Sequence, residues 1–108
     1  MRAVMVMMAL CVGIAASAAA DDVKDKGEKV FADQKCSLCH SIDGKGNKKG
    51  PLDSVGAKLS VAEIREWITD SKGMTAKAKT TRKPEMKAFS LAKNDVDALV
   101  AYLVTLKK

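Results

Sequence analysis

Apolar residues recur along the chain with several distinct rhythms. Residues 22–35 set Val23, Val30 and Phe31 among charges, a spacing that predicts a helix. Gly27 lies inside it, where glycine costs about 1 kcal/mol against alanine. A close helix crossing would explain its presence. Residues 60–70 predict a second helix: Ser60 and Glu63 form a capping-box signature, and Val61, Ile64, Trp67 and Ile68 share a face. Residues 92–107 carry the strongest helical pattern, through Val96, Leu99, Val100, Leu103, Val104 and Leu106, although Ala92 is a poor N-cap. Residues 41–58 hold Gly44, Gly46, Gly50, Pro51 and Gly56 and read as a loop. Residues 71–90 have no periodicity and read as a second, long loop, a feature that in compact domains usually serves function. There is no internal repeat and no good strand. The expected fold class is all-α.

The start of the chain changes the picture of where the protein works. Arg2, an apolar stretch over residues 3–16 and then Ser17-Ala18-Ala19-Ala20 make a positive start, an apolar centre and a small-residue end. That is the pattern of a secretory signal peptide, cleaved after Ala20 or Ala18. Residues 3–20 are just long enough to span a membrane uncleaved, but the alanine-rich end favours cleavage. The expected organisation is a signal peptide over residues 1–20 and one domain over residues 21–108. The expected location is the periplasm, with no stable membrane insertion after cleavage. Cys11 leaves with the signal, and Leu10 before it is too large for a lipid-modification site.

Cleavage leaves 88 residues, enough for one small domain that is short of apolar core and in need of a staple. Only Phe31, Trp67, Phe89 and Tyr102 supply aromatic bulk. The net charge of +6 becomes +5 when Arg2 is lost. Lys72, Lys77, Lys79, Arg82, Lys83 and Lys87 crowd one segment, with Glu85 the lone acid among them. Part of this run is a solvated loop. The rest suits a docking face for an acidic partner, engaged weakly and less at high salt. No aromatics interleave the basic run, which disfavours nucleic acid.

Residues Cys36-Ser37-Leu38-Cys39-His40 carry the chemistry. A Cys-x-x-Cys-His string is the attachment site of c-type haem: the two thiols add across the porphyrin vinyl groups and the histidine ligates the iron. A zinc site would need two more ligands, yet His40 is the only histidine and Cys11 the only other cysteine. A thioredoxin-like pair would sit beside a strand-helix-strand pattern, and a plain disulfide would leave His40 unexplained. One covalent haem would also be the staple. For the second axial position the chain beyond residue 20 offers Met74, Met86, a lysine or an open site. Met74 fits the ordinary role of core filler. Met86 stands three residues before Phe89, just ahead of the last helix.

With these residues in view, residues 24–108 resemble a class I, monohaem cytochrome c of the small bacterial periplasmic type. The resemblance rests on Gly27 and Phe31 ahead of the Cys-x-x-Cys-His string, on Gly50-Pro51-Leu52 with Gly56, and on Met86-Lys87-Ala88-Phe89 followed by Ala98-Leu99-Val100-Ala101-Tyr102-Leu103. It implies that the first and last helices cross at Gly27, beside Phe31 and Tyr102. It implies that Met86 is the axial partner of His40, that the Pro51 carbonyl accepts a hydrogen bond from His40, and that Trp67 packs beside a haem propionate. The family commonly places proline directly after the axial methionine. Here Lys87 follows Met86, and Pro84 precedes it by two.

The function so implied is that of a monomeric periplasmic one-electron carrier, not an enzyme. Cys36 and Cys39 would hold the haem, His40 and Met86 would set its potential, and lysines would guide redox protein partners. The rival readings are a small haem peroxidase with an open iron, a gas sensor with a displaceable Met86, and a tethered subunit of a larger complex.

Overall fold

A computed structural model of the protein describes residues 14–108, with side chains from Asp21 onward. The expected signal peptide lies for the most part outside the described residues. The described residues form five α-helices, α1 (Ile14–Asp33), α2 (Val55–Lys58), α3 (Val61–Thr69), α4 (Ser71–Ala78) and α5 (Lys93–Leu103), and a two-strand ribbon, β1 (Ser41–Ile42) and β2 (Lys45–Gly46). Among the described residues no helix is long and apolar enough to cross a membrane.

The most extensive packing in the fold is between α1 and α5. It is possible because Gly27 has no side chain: a Cβ there would land on the Ala98 carbonyl oxygen and 2.6 Å from Tyr102 Cβ. Beside the crossing, Phe31 and Tyr102 meet edge to face, with centroids 6.2 Å apart and planes at 74°. This is the crossing expected from the sequence. Val30, Ile64, Ile68, Val96, Leu99, Val100 and Leu103 form the buried core around it. The apolar stripe of α5 faces that core as its spacing predicts. Val61, expected on the apolar face of α3, is instead 49% exposed. It occupies the first residue of the helix, ahead of the turns that contact α5.

The capping box of α3 is present. Ser60 Oγ accepts from Glu63 N–H at 3.1 Å, and the Glu63 carboxylate accepts from Ser60 N–H at 3.1 Å. These bonds hold the Glu63 carboxyl below its ordinary range. The long loop expected over residues 71–90 begins with a helix, α4. Asp70 ends α3 and its side chain accepts from Gly73 N–H at 3.2 Å, starting α4 in the next residue. The eight residues of α4 include a single large apolar side chain, Met74, so there is no stripe for a periodicity argument to find. Met74 is buried, as its expected role of filler requires.

The glycine-rich stretch expected as loop over residues 41–58 contains the ribbon and α2. Asp43 and Gly44 both have positive φ, at 51° and 76°, the backbone of a two-residue hairpin turn. The pairing is antiparallel, Ser41 opposite Gly46 and Ile42 opposite Lys45. Ser41 also bridges Pro51 in parallel. The C-terminus then folds back over this region: Gly56 N–H donates to the Leu106 carbonyl at 2.7 Å and Lys108 N–H to the Asp53 carbonyl at 3.0 Å. The Lys108 ammonium pairs with the Asp43 carboxylate.

Candidate haem site

Lys35 takes a left-handed φ of 56° and ends the run of α1. The chain at once tightens into a 3-10 turn over Cys36–Leu38, and Cys39 N–H and His40 N–H both donate to the Cys36 carbonyl, at 3.1 and 2.9 Å. Two thiols and an imidazole are thus gathered on one turn. Cys36, Cys39 and His40 are all half-buried. Cys36 and His40 line a cleft of about 980 Å³, counting the part open to solvent. Its other walls are mostly apolar, with Phe31, Trp67, Met86, Phe89 and Leu99 contributing from four different segments.

The imidazole is held from behind. His40 Nδ1 lies 3.0 Å from the Gly50 carbonyl oxygen. A carbonyl can only accept, so Nδ1 carries the proton and Nε2 keeps its lone pair. Burial pushes the His40 pKa down, the Gly50 bond opposes this, and the Arg82 charge adds to the lowering. The result is a neutral imidazole with one nitrogen oriented by backbone, the state in which histidine ligates a metal. The expected acceptor was the Pro51 carbonyl; the structure places the bond one residue earlier. The reason lies in the local ladder. Ser41 N–H donates to the Gly50 carbonyl at 3.1 Å and Leu52 N–H to the Ser41 carbonyl at 2.9 Å, which sets Gly50 beside His40 while Pro51 is exposed.

Burial also raises the Cys36 thiol pKa, only partly offset by the Lys87 charge. A thiol kept protonated is unlike the low-pKa nucleophile of a thiol-redox pair. Among the described residues no group of three or more His, Cys, Asp or Glu side chains is placed to hold a metal. The zinc alternative therefore has no support in the geometry.

Met86 and Trp67 line the same cleft as His40, whereas Met74 does not. The loop bearing Met86 is fixed by α4, the helix the sequence did not reveal: buried Ser71 donates from Oγ to the Lys87 carbonyl at 2.9 Å. Two further features escaped the sequence reading. Arg82 lines the cleft, and its guanidinium donates to the Cys39 carbonyl. Gly50 is buried, and a Cβ on it would collide with both that guanidinium and the Cys39 carbonyl oxygen. A basic residue among five other cations gave no sign of this separate role.

Comparison with known proteins agrees with the geometry. The cytochrome c family model matches residues 24–107, and the chain belongs to that family. Members typically carry electrons by means of a covalently bound c-type haem and its iron. A chain of cytochrome c oxidase subunit 2 from Alkalihalophilus pseudofirmus is 26% identical over 96 residues, covering 81% of this chain and 27% of the relative. The chain thus spans about a quarter of the length of that relative. No solved structure matches. The residues fit the group the family implies: a thiol pair on one turn, an oriented neutral imidazole, and an apolar cleft beside them.

Proposed function

We propose that this protein is a periplasmic one-electron carrier with a single haem, attached through Cys36 and Cys39 and ligated by His40 and Met86. The observation that carries this reading is that one apolar cleft is lined by both His40 and Met86 while excluding Met74. The bound haem would supply an iron that changes oxidation state by one electron. The chain's own residues do the rest. Gly50 orients His40, and Ser71 holds the backbone at Lys87, next to Met86. Trp67, Phe89 and Leu99 give the cleft apolar walls. Thioether sulfur favours ferrous iron and so raises the potential, and a position filled by Met86 leaves none for a peroxide or a gas.

The partner is a redox protein with acidic docking surface, met briefly through a small interface. The likeness to a stretch of a cytochrome c oxidase subunit supports a role in electron transfer to or within an oxidase. The basic segment is less uniform than its composition suggests. Lys77 pairs with Glu66 at 3.2 Å and Lys83 with Glu85 at 3.1 Å, and Arg82, though exposed, is engaged with the Cys39 carbonyl. Lys87 Nζ lies 5.1 Å from the Phe89 ring centroid. Among the described residues Lys72 and Lys79 make no ion pair. Within this segment Lys72, Lys79 and Lys87 are therefore the cations best placed for docking.

Substitution of each methionine tests the ligand set. Met86→Ala lowers the midpoint potential and lets the ferrous protein bind carbon monoxide. Met74→Ala leaves both as in the parent and costs stability instead, about 2–5 kcal/mol for a buried methionine. A Met74 variant that binds carbon monoxide while the Met86 variant does not would overturn the assignment.

A further inference from the structure

We infer that Arg82 is a positioning residue: it clasps the Met86 loop to the haem-attachment turn, and so sets how readily Met86 gives way to another ligand. The inference rests on the reading of Met86 as a ligand and names what regulates its hold.

The loop between α4 and α5 leaves the body of the fold at Lys79 and returns at Lys93. Fourteen peptide bonds without helix or strand would leave Met86 poorly placed unless side chains tie the loop down. Among the described residues two ties flank Met86. Ser71 bonds the Lys87 carbonyl just after it. Arg82, four residues before it, reaches 43 positions back along the chain to the Cys39 carbonyl. The second tie joins the two parts of the site directly, because Cys39 adjoins His40.

The contact is built into the opposing surface. Gly50 is buried, and its missing side chain is what admits the guanidinium. The same Gly50 presents the carbonyl that orients His40. A planar guanidinium suits this slot better than an ammonium. It can lie flat over a glycine while one N–H donates to a carbonyl. The neighbouring cations do otherwise: Lys83 pairs with Glu85, and Lys87 stands over Phe89.

An added ligand that competes with Met86 reads the clasp directly, since its affinity includes the cost of opening the loop. Imidazole is titrated into the ferric, haem-loaded protein and followed by its absorbance. Arg82→Ala raises imidazole affinity about tenfold, a loss of roughly 1.4 kcal/mol of loop closure. Arg82→Lys recovers only part of the parent's resistance. Gly50→Ala, which crowds the guanidinium from the other side, also raises affinity. Asp43→Asn, which removes the ion pair at the C-terminus, leaves it unchanged, and this separates loop opening from general loosening of the fold. An Arg82→Ala protein with the parent's imidazole affinity and an intact ferric sulfur-to-iron band overturns the clasp but leaves Met86 as ligand. A parent protein that lacks that band overturns the Met86 reading, and the clasp with it.

Discussion

Three single residues show how much of this fold hangs on the absence of a side chain. Gly27 permits the α1–α5 crossing, Gly50 admits Arg82 and serves His40 through its carbonyl, and Gly46 takes a φ of 106° where a Cβ would strike the His40 carbonyl oxygen. Gly27→Ala adds one methyl at a point where backbone, not a flexible side chain, stands in the way. The expected cost is about 1–3 kcal/mol or somewhat more, measured as a shift in the denaturant midpoint of the haem-loaded protein. A midpoint equal to the parent's would mean that the crossing can widen freely. The role of Gly27 was legible because glycine is costly in a helix and a crossing explains it. The role of Gly50 was not, since nothing in a glycine-rich stretch separates the one that a guanidinium covers from its neighbours. The acceptor for His40 was placed at Pro51 and found at Gly50 for a related reason: which of two adjacent carbonyls faces the imidazole depends on the bridge to Ser41, a long-range pairing.

At the level of elements, periodicity predicted well where a helix packs a stripe and poorly where it does not. α3 and α5 were legible through Ile64, Ile68, Val96, Leu99, Val100 and Leu103, all of which are buried. α4 has only Met74 to bury besides Ser71 and Thr75, and is held by the Asp70 cap and by Ser71 instead. The β1–β2 turn holds Asp43-Gly44, a two-residue hairpin pair, but strands of two residues are too short to alternate, and the stretch read as loop. That ribbon is latched to the C-terminus through Asp43 and Lys108. The hydrogen bond and charge of Lys108 hold the Asp43 carboxyl below its ordinary range, and Asp43 holds Lys108 above its own. A carboxyl whose folded pKa is lowered stabilises the fold above its unfolded value, and that contribution is lost as pH falls through the folded value. A lysine whose folded pKa is raised contributes fully below its unfolded value and loses this as pH rises through the folded one. The latch is thus complete between the carboxylate and lysine ranges, roughly pH 4 to 10. Both groups are exposed, so the effect is small. Asp43→Asn should flatten the acid limb of a stability-against-pH curve measured by urea denaturation, and an acid limb as steep as the parent's would remove the latch from the account. Asparagine is the suitable substitute because it tolerates the left-handed backbone at this position.

For the whole molecule, a chain with few aromatics closes around a cleft lined largely by apolar side chains, and its positive net charge lies on a surface where some cations are already paired. Steering by the remainder is testable with a small anionic reductant. The rate of reduction of the ferric protein by hexacyanoferrate(II) should fall as salt rises. Lys79→Glu should flatten that dependence more than Lys24→Glu, which changes the net charge equally but lies on α1. Equal flattening would mean that overall charge alone steers the encounter. The attachment string, the crossing helices and the methionine ahead of the last helix were readable as residues in a row. The bond of Arg82 to Cys39 and the anchoring of the loop by Ser71 were not, because each joins positions far apart in the chain. The central claim is a covalent haem held between His40 and Met86. The most direct test is the visible and near-infrared spectrum of the purified protein, oxidised and reduced, after co-expression with haem-attachment machinery. The account predicts haem that stays with the chain on denaturation and a weak long-wavelength ferric band from methionine sulfur, absent in Met86→Ala. Haem without that band would contradict the ligand set, and a chain that takes up no haem would contradict the claim entirely.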